Sequence, residues 1–397
     1  MEPVVIVSGA RTPIGRFRGR LSTVAAPQLG AVALSAAVER AGLSPDAVDY
    51  VIMGNAIAAG VGQTPARQAG IAAGIPPTTS ALTVNKACAS GLMAVVLAAQ
   101  NIALGEAQVV AAGGMESMSL APHLLAHSRR GIPIGPGELV DAMIFDGLWC
   151  PFENRHMGNS AEDIARKYNI GRAEQDAFAL RSHQRAVAAR RNFDAEIAPV
   201  TVPGPPKVGG GVVEADEGPR PDTSLEALAK LAPAFEPQGT VTPGNSSQIS
   251  DGAAALVLMA EGRATRLPRQ PMARILGYTH SAIEPRWLFD APVLAVRQLL
   301  EKTGLALGDF DLIEINEAFA AQTLANGHVL GWDWDRVNVK GGAIALGHPI
   351  GASGARILVT LLYSLEQRAL RRGLAVVCHG GGGAVAMAME RVGGGPL

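Results

Sequence analysis

The chain has 397 residues, of which 48% are hydrophobic and 17% are charged, a composition that excludes a disordered protein and allows two or three domains. Its 34 basic and 35 acidic residues give a formal net charge of -1, which argues against nucleic acid or an anionic membrane as a partner. With three widely spaced cysteines, no recognisable signal peptide and no long apolar span, we predict a cytoplasmic protein without disulfides.

Predicted strands and helices alternate along the first third of the chain. Apolar runs at 4–7 and 48–53 predict strands, and the periodic stretch 28–40 between them predicts a helix. The stretch 88–104 is apolar nearly all round, which predicts a buried helix, and a strand is predicted at 108–112, ending at two glycines. This alternation is typical of layered α/β proteins.

The middle of the chain differs in composition. From about 119 to 243 it carries many proline, glycine and charged residues, which predicts an insertion laid over the α/β body. Amphipathic surface helices are predicted at 160–168 and 172–191, and a loop or hairpin at 204–211. Regular strand sequence resumes at 253–259.

An internal repeat links the two ends of the sequence. Ala89-Ser90-Gly91 opens one apolar helix, which the apolar stretch 109–114 follows. Ala352-Ser353-Gly354 opens another, which a strand leading to Cys378 follows. Small residues commonly begin a helix, but the matching order of elements favours two copies of one unit. We predict a pseudo-twofold axis with two reactive turns facing each other.

Cys88 lies at the start of the first apolar helix, after Asn85-Lys86 and before Ser90-Gly91. A helix N-terminus offers free N–H groups and a partial positive charge, and both stabilise a thiolate. The alternative is a buried structural cysteine, which is the usual fate of a lone one. The polar and small neighbours favour a reactive turn.

His348 stands between Gly347 and Pro349 in a stretch dense with glycine. Because proline fixes the next backbone angle, the imidazole is held in a constrained turn, suited to activating a thiol or donating to an oxyanion. The alternative, a core histidine paired with a backbone carbonyl, is disfavoured by the glycines. Asn316 follows the apolar run 312–315 and either orients a histidine or a water, or caps a helix.

Cys378 ends an apolar run and is followed by His379 and then by four glycines. Successive glycines let a ligand approach the backbone, and their N–H groups can form an anion-binding nest. A P-loop is excluded because no Gly-Lys-Ser/Thr follows, and the spacing disfavours a dinucleotide fingerprint. The pattern indicates covalent chemistry on a thiol.

These segments together resemble the thiolases, which transfer acyl groups between coenzyme A thioesters. The resemblance covers essentially the whole chain, from Arg11-Thr12-Pro13-Ile14-Gly15 to the last strand, and Cys378 separates it from ketoacyl synthases. It implies a five-layer α-β-α-β-α fold from two similar core halves with an inserted loop domain. The implied segments are 1–118 plus 244–271 for the N-terminal half, 119–243 for the loop domain and 272–397 for the C-terminal half.

The resemblance also implies a role for each catalytic residue. Cys88 would be the nucleophile that carries the acyl group as a thioester. His348 would activate it and help to hold a thioester oxygen, with a water fixed by Asn316. Cys378 would move a proton to or from the α-carbon of acetyl-CoA. The backbone N–H groups of Cys88 and Gly380 would form a second oxyanion hole.

Further residues are implied to bind the substrate. Ser247 would contact the pantetheine and Arg220 would lie near the adenine. The full implied set is Leu148, His156, Met157, Arg220, Phe235, Ser247, Ala318 and Phe319. Coenzyme A is then a substrate, and no cofactor or metal is implied. The stretch from 129 to 148 is similar to a tetramerisation loop, which predicts a homotetramer or homodimer, although an ordinary surface hairpin is the alternative.

Three segments depart from the family pattern. His379 replaces a small apolar residue after the second cysteine, where it either tunes the thiol or points into packing. The stretch 248–252 differs from the short-chain biosynthetic pattern, and 284–292 lacks the usual methionine and glycines of the acyl pocket. The last two leave the preference for acyl-chain length open.

The implied activity is reversible condensation and thiolysis of acetoacetyl-CoA by an acetyl-CoA C-acetyltransferase, within fatty acid metabolism. Cleavage of longer or bulkier 3-ketoacyl-CoA, as in β-oxidation, is the alternative from the same family. A non-catalytic acyl-CoA or lipid carrier is a different class, and it predicts loss of a reactive residue. A simple cysteine hydrolase has no use for Cys378.

Overall fold

A computed structural model of the protein describes residues 2–132, 134–204, 210–267 and 270–392. Its strands are β1 (Val4–Arg11), β2 (Gly15–Arg16), β3 (Tyr50–Gly54), β4 (Ser80–Val84), β5 (Val109–Ser117), β6 (His123–Leu124), β7 (Val140–Asp141), β8 (Trp149–Cys150), β9 (Arg155–His156), β10 (Val200–Val202), β11 (Gly211–Val213), β12 (Ser250–Ala260), β13 (Ala273–Ala282), β14 (Leu312–Ile315), β15 (Arg372–His379) and β16 (Gly383–Arg391). Its α-helices are α1 (Ala26–Arg40), α2 (Pro65–Ala72), α3 (Ser90–Ala103), α4 (Met157–Lys167), α5 (Arg172–Ala188), α6 (Leu225–Ala229), α7 (Glu261–Ala264), α8 (Ala291–Thr303), α9 (Ala320–Leu330), α10 (Ala343–Leu346) and α11 (Ile350–Gln367).

Two half-sheets of the same topology join into one sheet. The N-terminal half runs β4-β3-β5-β12-β1 and the C-terminal half runs β14-β15-β16-β13, so that β1 and β13 meet in the middle. Pairs near the outer ends are parallel and pairs near the junction are antiparallel in both halves. A parallel bridge from Ile313 to Val337 occupies the place that β4 holds in the first half. This shared topology confirms the predicted duplication.

The helices complete five layers. Helices α3 and α11 pack on each other between the two half-sheets, while α1 and α2 cover the N-terminal half, and α8, with α9 packed beside it, covers the C-terminal half. Leu92 on α3 and Leu358 on α11 are fully buried in this middle layer, and each such side chain contributes about 1.5–3 kcal/mol of burial free energy. The predicted α-β-α-β-α arrangement is therefore confirmed.

The repeated Ala-Ser-Gly motif has a packing role at the centre of the molecule. A Cβ on Gly91 would lie 2.9 Å from the Ala355 nitrogen, and one on Gly354 would lie 2.5 Å from the Leu92 nitrogen. The glycine of each copy thus lets the first turns of α3 and α11 touch backbone to backbone. This contact brings the turn that precedes each helix towards the pseudo-twofold axis.

Two predicted boundaries were wrong in ways that matter for the site. The helix predicted over 88–104 begins only at Ser90, which leaves Cys88 in the turn before it. The strand predicted to end at 112 continues through both glycines to Ser117. The reason is close packing. A Cβ on Gly113 would lie 2.0 Å from the Ala254 oxygen, so glycine here allows the neighbouring strand to approach.

The inserted region contains the predicted surface helices as α4 and α5, and a hairpin formed by β10 and β11. The hairpin agrees with the prediction at 204–211, although residues 205–209 lie outside the described part of the chain. The domain boundaries proposed at 118/119, 243/244 and 271/272 stay predictions. In the part of the chain that the structure describes, no helix combines the length and apolar character needed to cross a bilayer.

Candidate active site

Cys88 is held in a tight turn between β4 and α3. The turn places Ala87 in the left-handed region, with φ of 44°, where a residue with a side chain is strained. Three side-chain hydrogen bonds hold it: Asn85 Oδ1 accepts from the Ala87 N–H at 3.0 Å, and Ser90 Oγ accepts from the Lys86 N–H at 2.7 Å and donates to the Ala87 carbonyl at 2.6 Å. The side chains of Asn85 and Ser90, which marked this stretch in the sequence, thus hold the turn, and Lys86 contributes only its backbone N–H.

His348 approaches Cys88 from the other half of the molecule. Its Nε2 lies 3.3 Å from the Cys88 sulfur, and its Nδ1 lies 2.5 Å from Ser353 Oγ. The Ser353 hydroxyl donates to the Pro349 carbonyl at 2.9 Å, so its oxygen accepts from Nδ1–H. This arrangement leaves the lone pair of Nε2 facing the thiol, as a base requires. The Asn316 amide lies 3.5 Å from Nδ1.

Burial keeps this pair uncharged. Loss of solvent raises the pKa of Cys88 to about 12, although the N–H groups of Gly380 and of Cys88 itself hydrogen-bond to the sulfur and lower it. Burial, assisted by the charge of Arg356, lowers the pKa of His348 to about 3. A neutral thiol therefore faces a neutral imidazole at neutral pH, and proton transfer accompanies attack on a substrate.

Cys378 lies in the same site at the end of β15. Its side chain is 1% exposed and packs in a cluster with Ala318 and Phe319. Burial raises the pKa of Cys378, and the negative charge that Cys88 carries as a thiolate raises it further. The two thiols, from opposite ends of the chain, are thus near enough for a charge on one to affect the pKa of the other.

A cavity of about 480 Å³ leads to this cluster, and His348 lines it. The predicted substrate residues that line it are Leu148, His156, Arg220, Phe235, Ser247 and Phe319. Met157 and Ala318 do not line it and pack instead in the apolar cluster beside it. Sequence reasoning missed Arg16, Phe17, Met118 and Ile144, which also line the cavity and which only the fold brings together. Gln248 and Ile249, noticed in the sequence only as part of a departure from the family pattern, line it as well.

An aromatic wall borders the cavity. His156 stacks on Phe235 with ring centroids 4.7 Å apart, and Phe235 meets Phe319 edge to face at 6.1 Å. His156 Nδ1 accepts from the Gly158 N–H at 3.0 Å, and burial lowers its pKa. The imidazole is therefore neutral at pH 7 and presents a rigid apolar face to the cavity.

Glu116 is a buried carboxyl that sequence reasoning did not single out. It accepts hydrogen bonds from the Asn55 side chain at 2.6 Å and from the N–H groups of Ala56, Ile57 and Gly351 at 2.8 to 3.2 Å. Burial raises its pKa to about 7. The Glu116 carboxyl thus links the loop after β3 to the start of α11. In the sequence, the signal that could have revealed this buried acid was a glutamate inside an apolar strand.

The described residues include no group of three or more His, Cys, Asp or Glu side chains arranged to hold a metal ion. The site instead offers two thiols, one imidazole, an amide and a set of directed backbone N–H groups. These groups suit the formation and breakdown of a thioester on a cysteine, and movement of a proton nearby.

The chain matches known proteins over nearly its full length. Family models described as thiolase, N-terminal domain, and thiolase, C-terminal domain, match residues 4–262 and 269–391. An acetyl-CoA acetyltransferase of Chromobacterium violaceum is 52% identical over 393 residues, which cover 98% of this chain and 99% of that protein. One from Pseudomonas aeruginosa is 50% identical over 393 residues, covering 98% and 100%. The crystal structure of the Bacillus anthracis acetyl-CoA acetyltransferase matches with a TM-score of 0.96 and 43% identity over 99% of each chain.

Proposed function

The chain belongs to the thiolase family, and on this basis we propose that it is an acetyl-CoA C-acetyltransferase, an acyltransferase that forms and cleaves acetoacetyl-CoA through an acyl group on Cys88. The observation that carries the proposal is the 3.3 Å contact between His348 Nε2 and the Cys88 sulfur, with the buried thiol of Cys378 near enough for a charge on Cys88 to raise its pKa. Relatives with the acetyl-CoA acetyltransferase name at about half identity support the same activity.

Thiolysis begins with both cysteines protonated, which fits their raised pKa values. His348 takes the proton of Cys88, and the thiolate attacks the 3-keto carbon of acetoacetyl-CoA. The N–H groups of Cys88 and Gly380 hold the resulting oxyanion. The carbon–carbon bond then breaks, and the acetyl-CoA enolate leaves, its oxygen held by His348 and a water fixed by Asn316. Cys378 gives its proton to the enolate carbon.

The second half of the cycle restores the enzyme. Coenzyme A enters, and the Cys378 thiolate takes the proton of its thiol. The coenzyme A thiolate attacks the acetyl carbonyl on Cys88, and the oxyanion again lies against the N–H groups of Cys88 and Gly380. Cys88 leaves and recovers its proton from His348, and a second acetyl-CoA departs. Every step is reversible, so the same groups run the condensation in the opposite direction.

The surroundings of Cys378 favour a short acyl chain. Phe289 and Phe319 meet edge to face at 5.6 Å in the apolar cluster that contains Cys378. Phe289 belongs to the segment 284–292 that departs from the family pattern, and with Leu288 it is almost fully buried. Because these side chains fill the space beside the second thiol, we favour acetoacetyl-CoA over longer 3-ketoacyl-CoA.

No metal or other cofactor is needed for these steps, because this chain's own thiols, imidazole and backbone N–H groups supply each proton and each oxyanion contact. Coenzyme A thioesters are the substrates. The three cysteines are free, which supports a reducing, cytoplasmic setting. Within fatty acid metabolism the reaction produces or consumes short 3-ketoacyl-CoA, including the last cycle of β-oxidation.

Assembly with further copies of the chain is part of the proposal. Strand β4 is the outer edge of its half-sheet and has no second neighbour among the described strands. Exposed apolar side chains, with 60% or more of their surface free, crowd the region of the expected tetramerisation loop: Ile132, Leu139, Phe145 and Phe152. Free sheet edges and apolar patches are usually covered, so we expect a homodimer or homotetramer, which light scattering measures.

The experiment follows thiolysis of acetoacetyl-CoA and of a long-chain 3-ketoacyl-CoA, together with labelling of Cys88 by radioactive acetyl-CoA. We expect the short substrate to be preferred, and Cys88→Ser to lower the rate about a thousandfold or more and to take up no label. Cys378→Ala should accept the label without forming acetoacetyl-CoA. The control is Cys150→Ala, which removes a buried thiol that lies outside the site.

Three other outcomes would contradict the proposed activity. A strong preference for the long-chain substrate would assign the chain to degradative thiolases. Equal behaviour of wild type and Cys88→Ser, with no label on either, would favour a carrier, and rapid hydrolysis without coenzyme A would favour a cysteine hydrolase.

A further inference from the structure

The turn that joins β15 to β16 consists of glycine and contributes a donor to the proposed reaction. The Gly380 N–H lies near enough to the Cys88 sulfur to lower the pKa of that thiol, while Gly381 and Gly382 have φ of 87° and 89°. A Cβ on Gly380 would meet only the Ala87 Cβ, at 3.9 Å. Packing therefore does little to fix Gly380, and since glycine is the most mobile residue, hydrogen bonds must hold its N–H in place.

His379 supplies such a hydrogen bond. Its Nδ1 donates to the carbonyl oxygen of Gly380 at 2.7 Å, which ties the peptide group just after the donor N–H to the ring. Burial and the nearby charge of Lys86 lower the pKa of His379, so the ring is neutral at pH 7 with its proton on Nδ1. The ring therefore bonds to a carbonyl rather than acting as a second acid or base.

The chain makes room for this ring. A Cβ on Gly383 would lie 2.2 Å from His379 Nε2, so the imidazole occupies the space that a side chain at 383 would fill. His379 Nε2 is buried and has no hydrogen-bond partner among the described residues, which is unfavourable. An apolar side chain would avoid that cost, so the bond from Nδ1 is the feature that distinguishes histidine here.

Resting on the proposed thiolase activity, we propose that His379 is a positioning residue that holds the Gly380 carbonyl and so limits rotation about this glycine, which keeps the Gly380 N–H aimed at the oxyanion of the acyl-Cys88 intermediate. His379 touches neither substrate nor the reacting atoms. It acts through the glycine turn. Its hydrogen bond to the Gly380 carbonyl holds that turn, as the hydrogen bond from Ser90 to the Ala87 carbonyl holds the turn that carries Cys88.

Three substitutions separate the hydrogen bond from packing. In His379→Asn the side-chain nitrogen bonded to Cγ takes the place of Nδ1, so the donor to Gly380 is kept. In His379→Gln the amide nitrogen lies one bond further out, near the place of Nε2, and in His379→Val the donor is absent. The readouts are the rate of acetyl transfer from acetyl-CoA to Cys88, the apparent affinity for acetyl-CoA in that half-reaction, and the melting temperature.

We expect Val and Gln to slow acetyl transfer about tenfold or more, since complete loss of one oxyanion donor costs about a hundredfold or more. The apparent affinity for acetyl-CoA should stay within about twofold, because the interaction matters only as charge develops. Asn should restore most of the rate. Rates equal to wild type in Val and Gln would overturn the proposal, and so would an Asn variant as slow as Val, because packing of the ring would then be responsible. Absence of acetyl transfer in the wild type would instead reject the thiolase activity itself.

Discussion

Ser353 decides which nitrogen of His348 is the base. Its hydroxyl is bonded to the Pro349 carbonyl and its oxygen faces Nδ1 of His348, so the proton of the neutral imidazole lies on the side away from Cys88. The serine was noticed in the sequence only as part of a helix start. It lies four residues, or about one helical turn, after Pro349, which brings its hydroxyl beside the ring of His348.

We predict that Ser353→Ala lowers kcat for thiolysis about tenfold with little change in KM, because both tautomers of His348 then become populated and one of them cannot accept the thiol proton. Steady-state kinetics with acetoacetyl-CoA measures this. Ser353→Thr, which keeps the hydroxyl, serves as the control. A change in KM alone, with kcat intact, would show that the serine only shapes the cavity.

The raised pKa of Cys88 and the lowered pKa of His348 determine how fast Cys88 reacts with an alkylating agent at each pH. A thiol with pKa of about 12 is almost wholly protonated at neutral pH, so the resting enzyme holds no thiolate–imidazolium pair. We predict that alkylation of Cys88 by iodoacetamide accelerates about tenfold for each unit between about pH 6 and 9, following the thiolate fraction. A plateau across this range would contradict the prediction, with Cys88→Ser giving the background.

The proposed reactive residues could be singled out from the sequence because each lies in a short turn whose sequence is unusual by itself: small and polar residues around Cys88, glycine and proline around His348, glycines after Cys378. Local chemistry leaves a local signature. Arg16 and Phe17 line the cavity from a segment far away in sequence, and the adjoining stretch 11–15, although part of the family resemblance, carries no chemical sign of a binding role.

At the scale of elements, the error in the predicted end of β5 came from glycine, which can either bend a chain or allow a close neighbour. Glycines at 113 and 114 were read as the end of a strand, yet β5 continues through them because β12 and the first turn of α11 press against the backbone there. A local pattern cannot distinguish a glycine that bends the chain from one that admits a neighbour. The start of α3 was missed for a related reason, since hydrogen bonds from Asn85 and Ser90 hold the turn open.

The close contact between α3 and α11 predicts that a side chain at position 354 lowers the free energy of unfolding. Gly354→Ala would place a Cβ 2.5 Å from the Leu92 backbone nitrogen, and because backbone has to move, we expect a loss of about 1–3 kcal/mol in unfolding free energy. Urea denaturation followed by circular dichroism measures it. The matched control is Gly308→Ala, where a Cβ meets nothing within 4 Å. Equal stability of the two variants would show that the helices separate freely.

At the scale of the whole molecule, charged side chains are buried between the layers. Arg356 on α11 lies 3.6 Å from Glu314 on β14, and each is 1% exposed. Burial raises the pKa of Glu314 to about 8, against the opposing charge of Arg356. Composition gave no sign of this pair, because a sequence shows how many charges a chain has and not which of them the fold brings inside.

The raised pKa of Glu314 predicts that the free energy of unfolding depends on pH. Between about pH 7 and 8 the folded protein keeps the Glu314 proton that the unfolded chain has already lost, so the contribution of Glu314 to the unfolding free energy falls as pH rises, by up to about 1.4 kcal/mol per unit. Histidines whose pKa the fold lowers, among them His156, His348 and His379, contribute a slope of the opposite sign near pH 6.5, and this slope fades above about pH 7.5. Urea titrations at several pH values should show a weaker slope in Glu314→Gln. The surface control Glu301→Gln should keep the wild-type slope, and unchanged slopes in both variants would refute the assignment.

The meeting of the two half-sheets has a consequence for how activity reports on structure. β1 and β13 pair only at Val5 with Arg274 and at Ile6 with Ala273, while Cys88 belongs to one half and His348 to the other. The proposed chemistry thus requires both halves to be docked, and neither half holds the complete set of proposed reacting groups alone. Loss of turnover should therefore report separation of the two halves, even where each half keeps its own secondary structure.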